Sequence, residues 1–363
     1  MRKKILVIGN DSNGMFLFRK TLLSELVRAG HDVTVLTPFD YNVNDIRALG
    51  TKAIETPMDR RSTNPVADIN LLKSYRRIFK EEKPDFVITY TIKPNIYGGI
   101  TARRMKIPYA VNITGLGTAF QNEGVLKRFV VKMYRAALKT AHTVFFENSE
   151  CREVFLNNGI CPANTSFILN GAGVDLTRFE LAEYPLQDTV RFLFIGRIMK
   201  EKGVDELFEA MRRLYREKQN CELWMLGSCE EDYHSVIEKY SAEGWLTYYG
   251  HQQDVRPFIE QSHCFVLPSW HEGMANTNLE CAAMGRPVIT SNIHGCLEAV
   301  EDSVSGFLCD KQNADDLYRL MGKFVSLSYE QRKAMGRAGR ERMERLFDRR
   351  VIVSQTLNQL DLA

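Results

Sequence analysis

Short apolar runs alternate with longer amphipathic stretches along most of the chain. The runs at 4–9, 31–37 and 84–89 are rich in Val, Ile and Thr and end at Gly, Pro or polar residues. Between them, 16–29 and 68–82 carry apolar residues at helical spacing. Strands that alternate with helices in this way predict parallel βαβ units in a doubly wound sheet.

A second series of the same kind starts at the apolar run 191–196, after the flexible sequence Asn-Gly-Ala-Gly at 170–173. The pattern therefore predicts an α/β protein with two Rossmann-like domains that face each other across a cleft. We place the first domain at 1–172 and the second at 173–345. The remaining residues, 346–363, are predicted to form a terminal helix that packs back on the first domain.

The stretch 265–300 reads as strand, loop, helix and strand, with Glu272 in the loop and Glu280 in the helix. In open α/β sheets, ligands bind where strands end and the following helices begin. A carboxylate at Glu280 can accept both hydroxyls of a ribose, and the amides that follow Glu272 suit diphosphate or sugar oxygens. Those amides belong to Met274, Ala275 and Asn276. The competing interpretations are that Glu280 is a solvent-facing helix residue and that Glu272 is a charge favoured at the start of the helix.

Two further loops follow predicted first strands. Gly196, Arg197 and Lys202 lie between a strand and a helix, so the two cations can converge on one phosphate group. A solvated charged loop is the competing interpretation. Gly14 lies at the start of the first helix, where a phosphate can approach backbone amides or where a tight turn needs glycine.

Composition excludes several classes of protein. No apolar run reaches the length of a membrane span, and the cysteines and histidines show neither CxxC nor HExxH. We expect no metal site and reduced thiols in a cytoplasm. No GxGxxG follows either first strand, which makes a nicotinamide oxidoreductase a poor fit.

The net charge of +3 conceals an asymmetry between the two halves. Residues 1–175 carry 25 basic and 16 acidic side chains, a net charge of +9, and the remainder carries −6. This asymmetry suggests an anionic surface or substrate for the first half, although chance is an alternative explanation. Arg60 and Arg61, with Arg103 and Arg104, add to this charge.

The predicted helix at 125–141 is amphipathic. Its basic stripe consists of Arg128, Lys132, Arg135 and Lys139, and its apolar stripe of Leu126, Phe129, Val130, Met133 and Ala137. Basic amphipathic helices can bind anionic lipid headgroups. The interpretation favoured for the apolar stripe is an ordinary surface helix with that side in the core.

The sequence combines two motifs. One is Glu272-Gly273 to Glu280 followed by Gly285-Arg286-Pro287-Val288-Ile289, and the other is Gly196-Arg197 with Lys202-Gly203. With these two motifs the chain resembles the retaining glycosyltransferases of family 4. The resemblance covers essentially the whole chain and implies the GT-B fold. The sequences 89–95 and 115–117 look most like bacterial members that build surface polysaccharides or lipid-linked oligosaccharides. Some of these add N-acetylgalactosamine to an undecaprenyl-diphosphate-linked sugar.

The resemblance implies a UDP-sugar donor, no cofactor and no metal. It gives Arg197 and Lys202 the donor diphosphate, Glu280 the ribose and Glu272 the donor sugar, and lets Gly14 approach the diphosphate. Gly196 and residues 274–276 complete the donor site. The threonine of Asn112-Ile113-Thr114-Gly115 stands where many members have a histidine or an acid.

The acceptor implied by the resemblance is a polyprenyl-diphosphate-linked glycan. Lys93, Asn112 and Thr114 are the candidates to contact it. The transferred sugar is a hexose or N-acetylhexosamine, with N-acetylgalactosamine or N-acetylglucosamine preferred. We expect an enzyme peripheral to the inner face of the cell membrane, with no nucleic-acid partner. A UDP-sugar 2-epimerase of the same architecture and a non-catalytic nucleotide-sugar-binding protein remain alternatives.

Overall fold

The structure is a computed structural model that describes residues 1–56, 58, 64–117, 120 and 124–363. The chain divides into two compact units. The first comprises Met1–Ala172 and Arg349–Ala363, and the second comprises Gly173–Asp348.

In the described part of the first unit, seven parallel strands form one sheet in the order β3-β2-β1-β4-β5-β6-β7. β4 and β5 are buried along their whole length, as expected for central strands covered on both faces. The strands are β1 (Lys4–Ile8), β2 (Asp32–Thr37), β3 (Lys52–Glu55), β4 (Phe86–Tyr90), β5 (Tyr109–Ile113), β6 (Thr143–Phe146) and β7 (Ser166–Ile168).

Helices connect these strands and cover the sheet. A π-helix, Pro94–Gly98, directly precedes α4. The α-helices are α1 (Ser12–Arg28), α2 (Val43–Ala48), α3 (Pro65–Glu82), α4 (Gly99–Met105), α5 (Val125–Leu138) and α6 (Ser149–Asn157).

The second unit, whose residues are all described, contains six parallel strands in the order β10-β9-β8-β11-β12-β13. Its core is one continuous apolar cluster that includes Phe192, Phe194 and Phe265. The strands are β8 (Val190–Ile195), β9 (Cys221–Leu226), β10 (Leu246–Tyr248), β11 (Cys264–Leu267), β12 (Val288–Ser291) and β13 (Gly306–Cys309). The helices are α7 (Val204–Arg216), α8 (His234–Ala242), α9 (Arg256–Glu260), α10 (Asn276–Ala283), α11 (Ala314–Ser326) and α12 (Tyr329–Leu346).

The last helix, α13 (Arg349–Gln359), belongs to the first unit and packs against α1. The boundary between the two units lies at 348, three residues after the predicted 345. The reason is that Val174 N donates to Phe347 O over 2.8 Å and Val174 forms a β-bridge with Asp348, which keeps 346–348 in the second unit.

The exposure of α5 differs from the expectation. Val130, Ala137 and their neighbours are buried, but Leu126 is 52% exposed and Phe129 56%, and Val125 just before them is 85% exposed. The apolar stripe therefore enters the core only along its C-terminal part. At the N-terminal end of α5, apolar side chains lie in solvent beside the basic stripe. Arg60 and Arg61, which the sequence adds to the basic surface, lie outside the described residues.

A buried histidine makes the stability of the second unit depend on pH. Arg191 N donates to His263 Nδ1 over 3.0 Å, and His263 Nε2 lies 3.1 Å from Gln187 O, so the bonded ring is neutral with its proton on Nε2. Burial lowers the pKa of His263 to about 4.

Because the unfolded chain binds this proton more readily, we expect the free energy of unfolding to be constant above about pH 6.5. It should fall by up to about 3 kcal/mol as the pH drops towards 4. All three tryptophans, Trp224, Trp245 and Trp270, lie in the second unit, so urea unfolding followed by tryptophan fluorescence measures it. His263→Gln should flatten the dependence of the unfolding free energy on pH. His251→Gln, at an exposed position, is the control and should leave that dependence unchanged. The same pH dependence in wild type and His263→Gln would contradict the role given to His263.

Candidate active site

The strand order of the second unit reverses between β8 and β11. In open α/β sheets, ligands bind at the carboxyl ends of the strands where the order reverses. The loop after β8 carries Gly196, Arg197 and Lys202, and the loop after β11 carries Glu272. The topology therefore brings together two loops that the sequence singles out separately, some seventy residues apart.

Two glycines allow the loops around this point to pack closely. Gly203 has φ +73°, and a Cβ on it would lie 2.0 Å from Pro268 O. Gly295, after β12, has φ +90°, and a Cβ there would lie 2.5 Å from Glu272 O. A side chain at either position would push the glycine away from the backbone segment that faces it, so glycine is required for the loops to meet.

Lys202 and Glu272 form an ion pair at this point. Lys202 Nζ lies 2.5 Å from Glu272 Oε1, and the side chains are 18% and 13% exposed. A cation held in a half-buried site attracts a phosphate more strongly than one in bulk water. The family resemblance implies a diphosphate at Lys202 and a sugar at Glu272, and in the structure these two side chains are in direct contact.

Arg197 is held elsewhere. Its Nη1 lies 2.9 Å from Glu230 Oε2, and both side chains are partly exposed. Each of the two cations therefore has its own carboxylate in this structure. Glu230 is not among the residues predicted from the sequence. It follows β9, and because β9 pairs with β8, the loops after both strands lie at the same edge of the sheet.

The amides after Glu272 are not equivalent. Ala275 N donates to Gly295 O over 2.7 Å, so the expectation that this amide is open to a ligand is wrong. The cause is the close packing at Gly295, which no local pattern reveals. Asn276 begins α10, and its buried side-chain oxygen accepts no hydrogen bond from the described residues. Met274 is buried, and Glu280 lies half-buried within α10.

The start of α1 departs from expectation as well. Gly14 N donates to the carboxylate of Asp11, and Asp40 Oδ1 accepts from Ser12 N over 3.0 Å and Asn13 N over 3.1 Å. Burial acts to raise the pKa of Asp40, but the Ser12 hydroxyl and the nearby amides outweigh it and lower the pKa. These amides are thus already bonded to carboxylates. An aspartate three residues before Gly14 is a helix-cap pattern that can be recognised in the sequence alone.

The candidate acceptor residues lie at the ends of β4 and β5. Asn112 is buried and its Nδ2 donates to Thr89 O over 3.2 Å, so its amide supports the sheet. Thr114 is half-buried just after β5. Lys93 Nζ lies 2.9 Å from Asp68 Oδ1.

Two properties of the described residues bear on metals and membranes. They contain no group of three or more His, Cys, Asp or Glu side chains placed to hold a metal ion. Within the same residues, no helix combines the length and the apolar character that crossing a bilayer requires. The metal-free reaction stays a prediction.

Two family descriptions match the chain. "Glycosyl transferase 4-like domain" matches residues 17–171, and "Glycosyl transferases group 1" matches residues 179–342.

Among curated proteins, the chain is similar to the N,N'-diacetylbacillosaminyl-diphospho-undecaprenol α-1,3-N-acetylgalactosaminyltransferase of Campylobacter jejuni. The two are 27% identical over 320 residues, 84% of each chain. It is also 28% identical over 284 residues to the UDP-Gal:α-D-GlcNAc-diphosphoundecaprenol α-1,3-galactosyltransferase of Escherichia coli, covering 73% of this chain and 72% of that one.

Solved structures show the same fold. A glycosyltransferase from Rickettsia africae has a TM-score of 0.82 at 18% identity and covers 99% of this chain and 98% of its own. HepE from Anabaena, solved with UDP and glucose, has a TM-score of 0.82 at 15% identity and covers 100% of both chains.

Two parallel α/β units of this topology, with these neighbours, define the GT-B fold. Since the two family matches together span most of the sequence, the chain belongs to the family 4 glycosyltransferases. The predicted fold, family and enzyme class are confirmed.

Proposed function

We propose that the enzyme transfers a hexose or N-acetylhexosamine from a UDP-sugar to a lipid-diphosphate-linked glycan, with N-acetylgalactosamine or N-acetylglucosamine as the preferred sugar. The observation that carries the proposal is the half-buried Lys202–Glu272 pair where the second sheet reverses its strand order. The Campylobacter and Escherichia relatives are named for such transfers to diphospho-undecaprenol-linked sugars, which supports the acceptor class. The pathway class proposed is polysaccharide or glycan biosynthesis.

Each residue of the site has a chemical role in this proposal. Lys202 and Arg197 exchange their carboxylate partners for the donor diphosphate and stabilise the negative charge that develops on departing UDP. These cations take the part that a divalent metal plays in other transferases. The freed carboxylate of Glu272 accepts hydrogen bonds from the donor sugar, and Glu280 accepts from the ribose hydroxyls.

The start of α10 supplies the remaining donor contacts. The side-chain oxygen of Asn276, which has no hydrogen-bond partner within the described part of the chain, can accept a hydrogen bond from a ligand hydroxyl. Met274 and Ala275 enclose the site through packing, while Gly196 leaves room for the donor to approach the backbone. The expected product retains the α configuration, with the acceptor hydroxyl attacking from the face that UDP leaves.

A screen of UDP-hexoses and UDP-N-acetylhexosamines for UDP release tests the proposal. We expect release from one or a few donors, and only when a lipid-diphosphate-linked sugar is present. A UDP-sugar that is altered without acceptor would identify an epimerase instead. Donor binding without any turnover would identify a binding protein.

We further propose that the first unit docks on an anionic membrane through the N-terminal part of α5. Val125, Leu126 and Phe129 are exposed there, and the exposed Arg128 and Lys132 lie on the same helix. Apolar side chains that insert between lipids, beside cations that attract anionic headgroups, are the features of an interfacial helix. The acceptor of the proposed reaction is held in such a surface by its lipid.

Replacing Phe129 by serine should weaken binding to vesicles that contain anionic lipid by about tenfold, because one buried aromatic side chain contributes roughly 1.5–3 kcal/mol. Vesicle flotation measures the bound fraction. Leu186→Ser is the matched control, since Leu186 is also exposed but lies in the acidic second unit. Equal loss in both variants, or no preference of the wild type for anionic lipid, would count against docking through α5.

A further inference from the structure

The first unit has its own point of strand-order reversal, between β1 and β4. By the rule applied to the second unit, a ligand is expected at the carboxyl ends of these two strands. After β1, the amides at the start of α1 are already bonded to the carboxylates of Asp11 and Asp40. An anion is therefore disfavoured on that side, and the loop after β4 is left to supply the binding group.

The loop after β4 presents Lys93. Its side chain is 15% exposed and lies 2.9 Å from Asp68, which is 20% exposed. The hydroxyl of Tyr97, in the π-helix, also bonds to Asp68; burial and this bond raise the pKa of Tyr97, so it remains a donor. The arrangement repeats the one at Lys202 and Glu272: a half-buried lysine paired with one carboxylate at the reversal point of its sheet.

The backbone of this loop is strained. Thr91 has φ +71°, a conformation that β-branched residues rarely adopt, and its buried hydroxyl has no hydrogen-bond partner among the described residues. Strain of this kind persists only where the surrounding structure enforces it, and it clusters at ligand sites. Here the buried Asn95 enforces it by bonding to Thr89 Oγ1 and Asn112 O, both at 2.8 Å.

We propose that Lys93 binds the diphosphate of the lipid-linked acceptor, and that Asp68 holds and neutralises the lysine until the acceptor replaces it. This inference rests on the proposed function, because the acceptor class comes from there. The diphosphate takes the place of the Asp68 carboxylate at the ammonium group, as a charge-assisted hydrogen bond of the same geometry. Asp68 then acts against acceptor binding, since it competes for the same cation and repels the same anion.

Lys93 and Asp68 should have opposite effects on acceptor binding, which a purely structural ion pair would not produce. Transfer is measured with a short-chain polyprenyl-diphosphate sugar and with an alkyl glycoside of the same sugar. Lys93→Ala should raise KM for the diphosphate acceptor by at least about tenfold and leave the alkyl glycoside unchanged. Asp68→Asn should lower KM for the diphosphate acceptor. Lys52→Ala removes a surface ion pair with Glu82 at the other edge of the same sheet, and should change neither value.

The proposal would be overturned if Lys93→Ala and Asp68→Asn changed KM in the same direction, or if either variant affected both acceptors equally. The ion pair would then be only a structural link between α3 and the π-helix. Melting temperatures of the variants separate this outcome from misfolding.

A second arm separates this inference from the proposed function. Inorganic pyrophosphate is titrated calorimetrically into the Lys202→Ala protein, where the site of the second unit is impaired. Binding that disappears when Lys93→Ala is added supports the site in the first unit, even if the wild type transfers no sugar. Binding that persists in the double variant, or no binding to the Lys202→Ala protein, overturns it.

Discussion

Replacing Lys202 by alanine should lower kcat for sugar transfer by about 100- to 1,000-fold, the usual cost of removing one group that stabilises developing charge. The half-buried ammonium lies 2.5 Å from the Glu272 carboxylate, and in the proposed reaction the donor diphosphate replaces that carboxylate. The loss should fall mainly on kcat, since the negative charge on UDP grows as the bond to the sugar breaks. Steady-state UDP release at saturating acceptor measures it.

Lys200→Ala is the matched control for this prediction. Lys200 belongs to the same 3₁₀ turn, Lys200–Lys202, but is exposed and lies over the ring of Trp270. Its removal should change kcat less than about threefold, as expected for an exposed charge. Similar losses in the two variants would show that general positive charge in the loop matters and not the position of Lys202.

Replacing Arg286 by alanine should destabilise the second unit by about 3–5 kcal/mol. The guanidinium is fully buried and donates to Ile259 O over 2.9 Å and to Glu183 O over 2.7 Å. A longer bond reaches Glu260 O, and burial lowers the pKa of Arg286 to about 10. Truncation leaves these carbonyls without that donor and opens a cavity between the segments that the arginine joins.

Urea unfolding monitored by tryptophan fluorescence measures this effect, because every tryptophan lies in the second unit. Arg319→Ala is the control, since Arg319 makes an exposed pair with Asp316 and should cost less than about 1 kcal/mol. Equal midpoints for wild type and Arg286→Ala would show that the buried guanidinium contributes nothing. Arg286 occurs in the sequence pattern that carries the family resemblance, and its role there is structural.

The fold could be predicted because its elements are local. Strands such as β4 and β11 are short, continuous apolar runs, and each loop between strand and helix carries a glycine, proline or polar residue. The parallel topology follows from that alternation. The exposure of Leu126 and Phe129 could not be predicted, because helical spacing identifies one face of α5 but not how far the core extends along it.

The site could be predicted only as a set of residues. Lys202 and Glu272 were found from their positions in strand–loop–helix units, yet their contact depends on the order β8–β11 in the sheet. The bond from Ala275 N to Gly295 O and the ion pair between Lys93 and Asp68 are likewise tertiary. By contrast, the cap formed by Asp11 at Gly14 is local and was within reach of sequence reasoning.

The most direct test of the proposed transferase follows a labelled sugar from the UDP-sugar identified in the screen to the lipid-diphosphate-linked acceptor, with purified wild-type enzyme and without added metal. We predict one UDP released for each sugar transferred, and a product whose new glycosidic bond is α by NMR. A β-linked product would contradict the retaining reaction. Label recovered as free sugar or as an altered UDP-sugar, with no lengthened glycan, would contradict the transferase itself.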